Sequence, residues 1–194
     1  RVLDHGYDIT RLEARIDQVL EIARARPAIV QLAATMALEH YTAIIAAELI
    51  RNPKHLAGAD RESAELWRWH ALEEIEHKGV AYDTFLHATR NMSRWKRWKI
   101  KSLTMLLISG TFWKHRIEGT LDLMAQDGLT GWRAKAALAK YLLGSPGIVR
   151  RMIPAWSSYF LPGFHPWNHD DRALIRLAES EYAEALMPNV VAAA

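Results

Sequence analysis

Apolar residues recur at the three- and four-residue spacing of α-helices along most of the chain, and no segment alternates apolar and polar residues as a strand does. The predicted helices end near residues 25, 50, 89, 125 and 144, with a shorter helix around 153–155 and a last helix over 171–186. No internal repeat divides the sequence. The pattern therefore predicts an all-α fold, organised as a single helical domain over residues 1–194.

Local start and stop signals support several of these helix ends. Thr10 and Glu13 have the spacing of a capping box at the first helix. Pro53 ends the second helix, and Asp60 is placed to cap a long third helix that continues to about residue 89. A loop rich in proline and aromatic residues, over 161–170, precedes the last helix.

The composition narrows the chemistry that this chain can carry. Half of the residues are hydrophobic, as in a folded domain, and there are no cysteines. Disulfide frameworks, thiolate zinc sites, iron–sulfur clusters and cysteine nucleophiles are therefore excluded. A metal would have to be held by histidines and carboxylates, of which there are 9 and 22. Because the chain starts at Arg1 and not at Met, and no signal segment is at its front, we expect residue 1 to be an internal cut, a processing site or the first ordered residue of a longer polypeptide.

Charge is unevenly distributed. No acidic residue lies in 84–117, whereas eight lysines and arginines lie between 90 and 116. Such a block suggests an anionic partner, and 90–116 is a candidate for peripheral contact with a membrane surface. The apolar run 103–113 is too short to span a bilayer and is typical of a soluble core helix. Nucleic acid is not expected as a partner, because no recognised binding motif accompanies the basic residues.

One predicted helix carries three potential metal ligands on one face. His70, Glu74 and His77 are spaced by four and three residues, so at 3.6 residues per turn they project in the same direction. Glu74 and His77 form the Glu-x-x-His pair that ferritin-like di-iron helices contribute to a metal. Most isolated pairs of this kind are solvated surface residues, but two histidines around a glutamate on one stripe are rarer. The segment therefore predicts a metal-binding face.

A second potential ligand lies one helix earlier. Glu39 follows a run of apolar residues, and an ionised carboxylate is costly to bury there unless it is paired or coordinated. If the second and third helices pack antiparallel after their short loop, Glu39 faces the stripe of His70 and His77. The ordinary alternative is a glutamate at the surface or beside an arginine. The expected convergence of Glu39 with the stripe of His70 and His77 favours a metal site over this alternative.

Three stretches together resemble the family called predicted metal-dependent hydrolases. They are LEHYT at 38–42, WRWHALEEIEHKGVAYD at 67–83 and YFLPGFHPW at 159–167. The ligand spacing is also similar to that of di-iron N-oxygenases of the p-aminobenzoate type. The resemblance implies a ferritin-like helical bundle with additional C-terminal helices. It also implies two metal ions, iron or alternatively manganese or zinc, with Glu39, His70, Glu74 and His77 as one half of the site.

The resemblance also implies that part of the site is missing from this chain. Family members carry an upstream helix with a glutamate and another with Glu-x-x-His, and the residues around Tyr7 match the stretch just after those helices. We therefore expect the chain to lack the first two ligand helices of the full bundle. Residues upstream of Arg1 would complete the site in the intact polypeptide.

Other polar residues near the motif are candidates for supporting partners of the ligands. A ligating histidine usually donates its second ring N–H to an oxygen atom. The candidates are His40, Glu73, Glu76 and Asp83. For each of them, a charged residue on a solvated face is the ordinary alternative. His165 and His169, in the proline-rich loop, are more typical of packing or helix capping than of metal binding.

The sequence supports three hypotheses of function and assigns no catalytic residue. The first is a di-iron oxidase or oxygenase acting on a small or lipid-like organic substrate. The second is a metal-dependent hydrolase, in which two metals activate water and polarise an acyl or phosphoryl oxygen. The third is a non-enzymatic helical module that binds a membrane surface or a protein partner. We expect a cytoplasmic protein, with membrane association and homo-oligomerisation as open alternatives.

Overall fold

A computed structural model of the chain describes the backbone of residues 6–186 and the side chains of residues 6–180. The described residues form eight α-helices and no strands, which confirms the predicted all-α class. The helices are α1 Thr10–Arg24, α2 Ala28–Arg51, α3 Arg61–His77, α4 Val80–Ala88, α5 Arg94–Gln126, α6 Gly131–Ala139, α7 Ile148–Ser158 and α8 Arg172–Leu186. Short 3-10 turns at Pro53–His55 and Pro166–Asn168 and a π turn at Lys140–Gly144 complete them.

Most helix ends follow the local signals. The Asp60 carboxylate accepts a hydrogen bond from the backbone N–H of Ser63 at 3.0 Å, as its predicted capping position requires. The predicted capping box of α1 is wrong, because Ile9 is the residue that precedes the helix and has no capping side chain. The Asp8 carboxylate, one residue before Ile9, instead accepts a hydrogen bond from the backbone N–H of Thr10 at 2.9 Å. This carboxylate therefore orders the start of α1.

The prediction of one continuous helix from Asp60 to residue 89 is wrong. The helix stops after His77 and starts again at Val80, and so divides into α3 and α4. Lys78 and Gly79, the two residues between these helices, are both buried. A Cβ atom on Gly79 would lie 2.7 Å from the indole Nε1 of Trp167, so the loop before α8 approaches the backbone here more closely than another residue type allows.

Helix α2 is the central element, and α3, α4, α5 and α7 pack around it. Its almost uniformly apolar sequence explains this position, because a helix that is hydrophobic all round must be covered on every side. Met36, Tyr41 and Ile44 of α2 belong to a core that includes Phe85 of α4 and Met105 of α5. Among the described residues, α2 is also the one helix long and apolar enough to cross a membrane by length and composition.

Helices α2 and α3 pack antiparallel, as predicted. Ala46 and Ala47 contact Ala71 and Ile75, whereas Glu39, two turns earlier in α2, contacts the start of α4. The alanines are small enough for the two backbones to approach closely. This packing places Glu39 beside the C-terminal end of α3, where His77 lies.

The proline-rich loop folds back over the break between α3 and α4. The Lys78 ammonium, which is 3% exposed, donates to the backbone carbonyl of His169 at 2.6 Å and to the Asp171 carboxylate at 2.8 Å. It also lies 4.4 Å from the ring centroid of Trp167. Tyr82 donates to the carbonyl of Phe164 from the other side. These contacts hold the loop and the entry to α8 against the end of α3.

Candidate metal centre

Glu39 is held at the junction of three helices. One of its carboxylate oxygens accepts a hydrogen bond from the backbone N–H of Ala81 at 3.1 Å. Ala81 is the second residue of α4, and Gly79 before the helix has no side chain with which to cap it. Because the first N–H groups of a helix lack partners within it, the Glu39 carboxylate takes the place of a capping side chain. This contact fixes one carboxylate oxygen of Glu39 at the start of α4.

The stripe on α3 forms as predicted. His70 and Glu74 lie one turn apart, with His70 Nε2 at 3.3 Å from a Glu74 carboxylate oxygen. The His70 side chain is half exposed, whereas that of Glu74 is 26% exposed. Helical geometry places His77 one turn further on the same side, and its side chain is exposed. The three side chains therefore line an open face.

Electrostatics connect Glu39 with this face. The pKa of Glu39 is raised above its ordinary value, chiefly because burial disfavours the charged carboxylate. The hydrogen bond from Ala81 opposes the shift, the charge of Glu74 adds to it, and His77 opposes it. Glu39, Glu74 and His77 are therefore close enough to interact. A second carboxylate that disfavours the ionisation of Glu39 creates a chemical setting that a divalent cation relieves.

The donors fit a metal ion in kind but do not close around one by themselves. Two carboxylates and two imidazoles are ligands that suit iron, manganese or zinc. Within residues 6–180, however, no three histidine or acidic side chains converge to the geometry of a metal-binding group. His70 is half exposed and His77 is exposed, so both are accessible to further ligands. Glu39, His70, Glu74 and His77 stay a predicted ligand set.

Large apolar side chains are exposed on α3 and at the start of α4. Leu66, Trp67, Trp69 and Val80 are between 45% and 61% exposed, and the ring of Trp67 lies 6.0 Å from that of His70. Exposed groups of this size are unusual on a surface that stays in water. The open side of the ligand stripe is therefore suited to contact with another apolar surface or with a substrate.

The predicted supporting residues lie in different surroundings. His40 turns into the core, where its Nε2 is 3.2 Å from the carbonyl oxygen of Ala155 and burial lowers its pKa to about 4. Asp83 turns outward and pairs with Nε2 of His165 at 3.0 Å. Glu73 is half-buried beside Glu74 in sequence, and Glu76 is exposed. Their assistance to a metal ligand stays a prediction.

The two loop histidines act as structural residues. His165 begins the 3-10 turn at Pro166–Asn168, where its Nδ1 accepts from the backbone N–H of Trp167 at 3.2 Å. His169 Nε2 lies 2.8 Å from the hydroxyl oxygen of Ser158, at the end of α7. Both are partly buried, and neither lies on the ligand stripe. These contacts agree with their interpretation as packing and capping residues.

Sequence reasoning missed the residues that hold the end of α3 in place. Asp171 is 5% exposed and receives hydrogen bonds from Lys78, at the break after α3, and from Arg51, at the end of α2. Lys78 follows His77 directly, so this buried pair anchors the backbone at the candidate ligand. The charges looked like ordinary surface residues because no local pattern signals a buried lysine. The neighbouring Gly79 was the one available hint of a close approach.

Comparisons with known proteins agree with the metal-binding interpretation. The family model described as predicted metal-dependent hydrolase matches residues 1–170, which include α1 to α7 and the loop that covers the break. A search of curated proteins and a search of solved structures each gave no match. The matched region contains all four candidate ligands and extends over most of the chain. This chain therefore belongs to the family of predicted metal-dependent hydrolases.

Proposed function

We propose that the protein is a metal-dependent hydrolase whose ion or ions are bound by Glu39, His70, Glu74 and His77. The observation that carries this proposal is the electrostatic interaction of Glu39, on α2, with Glu74 and His77, on α3, in a member of this family. The family match supports hydrolysis more than it supports the oxidase hypothesis. The number and identity of the metal ions, two and iron in our prediction, belong to this proposal.

The chain's own residues prepare the site for such an ion. Ala81 orients the Glu39 carboxylate, and the shared end of α3 and α4 is fixed by the buried pair of Lys78 and Asp171. Glu39 is partly shielded from water, so its charge is strengthened as a ligand once a cation balances it. The chemistry that a divalent ion supplies in a hydrolase is activation of water and polarisation of an acyl or phosphoryl oxygen.

The exposed apolar residues beside the ligands indicate the kind of substrate. The ring of Trp67 lies 6.0 Å from that of His70, and Trp67 is about half exposed. Aromatic side chains of this kind bind apolar or planar groups through large contact areas. A small organic ester, amide or phosphoester with an apolar part fits this surface better than a highly charged substrate does.

A second candidate function is oxidation of the same class of substrate. It is supported by the placement of Glu39 and Glu74 on facing helices, because carboxylates from facing helices hold the metals in di-iron bundles. The ligand set by itself is compatible with either reaction. The requirement for oxygen distinguishes them.

The experiment uses the full-length polypeptide, loaded separately with iron, manganese and zinc. Metal content per chain is measured first, followed by turnover of ester and phosphoester panels with and without oxygen. Hydrolysis that persists without oxygen supports the proposal. Oxygen consumption that depends on iron favours the second candidate, whereas a protein that binds none of the metals contradicts both.

A matched pair of variants assigns the activity to the site. His77→Ala should abolish metal retention and turnover. His87→Ala replaces another exposed histidine, on α4, whose described partner is Arg90, and it should leave both unchanged. Equal losses in the two variants would point to a general effect on folding, and equal activity would place the metal elsewhere.

A further inference from the structure

Lys101 is a largely buried residue of α5 whose ammonium group has no hydrogen-bond acceptor among the described residues. The residue is 6% exposed, and within residues 6–180 no carboxylate, carbonyl or hydroxyl oxygen lies in hydrogen-bonding distance of it. Its Nζ is surrounded by aromatic rings instead, at 4.8 Å from the centroid of Tyr159, 5.1 Å from Phe164 and 5.7 Å from Tyr82. Cation–π attraction offsets only part of the loss of hydration.

The same place contains a second polar group without a partner. The hydroxyl of Tyr159 is buried and makes no hydrogen bond with any described residue. Nearly all buried polar groups in native proteins have partners, so each exception requires an explanation. The Lys101 ammonium, 4.8 Å from the centroid of that ring, also has no acceptor among the described residues. An anion is the simplest group that satisfies Lys101.

Lys101 lines a pocket large enough to supply that anion. The pocket has a volume of about 710 Å³ and lies between α4, the first turns of α5 and the loop after α7. Its lining includes Arg94 and Arg97 and no acidic residue. The Asp83 carboxylate, next in sequence to the lining residue Tyr82, is paired with His165. Small-molecule sites typically have volumes of about 300–1,000 Å³.

The walls of the pocket are apolar toward its interior. They are formed chiefly by Phe85, Leu86, Trp95, Trp98, Phe160 and Leu161. The indole N–H of Trp98 already donates to the backbone carbonyl of Phe160 at 2.8 Å. The hydroxyl of Tyr82 donates to the backbone carbonyl of Phe164. The polar atoms of the walls are therefore satisfied within the protein, and the cations are left for a ligand.

We propose that this pocket binds an amphipathic monocarboxylate of the fatty-acid class, with its carboxylate against Lys101 and its chain along the aromatic walls. Lys101 is the most buried of the three cations, whereas Arg97 is half-buried and Arg94 is exposed. The carboxylate head group would therefore lie at the buried end of the pocket. None of the lining residues belongs to the candidate metal ligands. The proposal therefore does not depend on hydrolase activity.

Charge supports this assignment. Burial lowers the pKa of Lys101 to about 8, which still leaves the group mostly protonated at neutral pH. The pKa of Tyr82 is raised to about 12 by burial, so its hydroxyl carries no charge that would neutralise the ammonium. A carboxylate is therefore attracted into a pocket that contains net positive charge.

The test is titration of the delipidated full chain with dodecanoate below its micellar concentration, followed by calorimetry and tryptophan fluorescence. We expect saturable binding of one dodecanoate per chain, and binding at least about tenfold weaker for dodecanol, which has the same chain without the charge. Equal binding of the acid and the alcohol would overturn the proposal. So would the absence of saturable binding.

Variants separate the pocket from general charge effects. Lys101→Met keeps the side-chain length and removes the buried charge, and it should weaken dodecanoate binding at least about tenfold. Arg97→Gln, at the half-buried rim, should weaken it several-fold without disturbing the core. Lys96→Met removes an exposed charge from the same helix outside the pocket and should change nothing. Equal affinity in Lys101→Met and Lys96→Met would refute the proposed contact.

A further experiment with lipid vesicles distinguishes binding of a free acid from binding to a lipid surface. Vesicles containing phosphatidylglycerol are mixed with the protein and floated, with and without dodecanoate. If the protein binds a free acid in this pocket, dodecanoate binding persists without vesicles. Binding to the vesicles alone, with no affinity for dodecanoate, would overturn the proposal and favour a membrane contact through 90–116.

Discussion

The Glu39 carboxylate accepts a hydrogen bond at 3.1 Å from the backbone N–H of Ala81, across the junction of α2 and α4. The contact gives Glu39 two functions, because the same carboxylate completes the start of α4 and faces Glu74 and His77. If Glu39 only caps α4, an uncharged side chain that still accepts the hydrogen bond from Ala81 should preserve its contribution to stability. If Glu39 is also a metal ligand, removal of its charge should weaken metal binding, and the two effects can be measured separately.

Glu39→Gln should separate these functions. The glutamine carbonyl can still accept from Ala81, so we expect the metal-free protein to keep its melting temperature or to gain slightly from the lost buried charge. Metal affinity should fall by about tenfold or more, since the anionic ligand is gone. The measurements are thermal melting of the metal-free protein and metal content after dialysis.

Glu39→Ala is the comparison for this variant. It removes both the acceptor for Ala81 and the ligand, and it should lower both stability and metal content. If Glu39→Gln retained as much metal as the unaltered protein, Glu39 would be a helix-capping residue alone.

Asp171→Asn should destabilise the fold strongly. The buried Lys78 ammonium would lose its carboxylate partner, and removing one member of a buried ion pair typically costs about 3–5 kcal/mol. Asp170→Asn is the matched control, because Asp170 pairs with Arg172 in an exposed salt bridge that contributes little. Urea denaturation of the two variants measures the contrast. Similar small losses in both would mean that the buried pair does not anchor the loop.

Gly79→Ala should destabilise the protein through its approach to Trp167. The new Cβ would lie 2.7 Å from the indole nitrogen, so the ring must move, at a cost of about 1–3 kcal/mol. Gly110→Ala is the control, since no atom lies within 4 Å of the added Cβ on an exposed stretch of α5. It should stabilise by about 0.5–1 kcal/mol through helix propensity. Chemical denaturation reports both changes.

The clash can be confirmed by a double variant. Trp167→Ala removes the ring, so Gly79→Ala should cost much less in that background than in the unaltered protein. An unchanged cost would show that the glycine is required for its backbone conformation and not for the approach of Trp167.

Lys101→Met should stabilise the ligand-free protein in a pH-dependent manner. The pKa of Lys101 falls from its ordinary 10.5 to about 8 on folding, so the buried charge destabilises the native state below pH 8. As pH rises from about 8 to 10.5, the native group loses its proton first and this cost disappears. The variant should gain about 1–2 kcal/mol near neutral pH and almost nothing at high pH.

The surroundings of Lys101 permit this interpretation. Burial raises the pKa of both Tyr82 and Tyr159, so in the native state neither of them loses its proton in the interval where Lys101 does. Stability is measured by urea denaturation across the alkaline range, with Lys96→Met as the exposed control. A gain that does not change with pH would mean that packing, and not charge, accounts for the effect.

Several features of the site could be predicted from the sequence. The i, i+4 and i+7 spacing places His70, Glu74 and His77 on one side of any helix that contains them, because helical geometry is local. The apolar run of α2 marks it as the central helix, and its short connection to α3 implies antiparallel packing, which brings Glu39 to the same region. The family resemblance on three motifs agrees with the match over residues 1–170.

Other features could not be predicted because they depend on residues distant in sequence. The break between α3 and α4 has no proline, and it exists because Trp167 approaches Gly79 while Lys78 reaches Asp171. Likewise, Lys101 belongs to a basic stretch that is typical of a solvated face. Only the packing of α5 against Tyr82, Tyr159 and Phe164 makes its charge buried.

The sequence by itself therefore determined the helices, the central position of α2 and the side of α3 that carries the candidate ligands, since periodicity and spacing act within a few residues. The tertiary structure alone decided where the predicted third helix breaks and that the buried Lys78 ammonium binds the Asp171 carboxylate and the His169 carbonyl. It also decided that Lys101 has no hydrogen-bond acceptor among the described residues. Burial and partner choice are set by contacts between distant segments, and the free energy of a charge depends on those contacts.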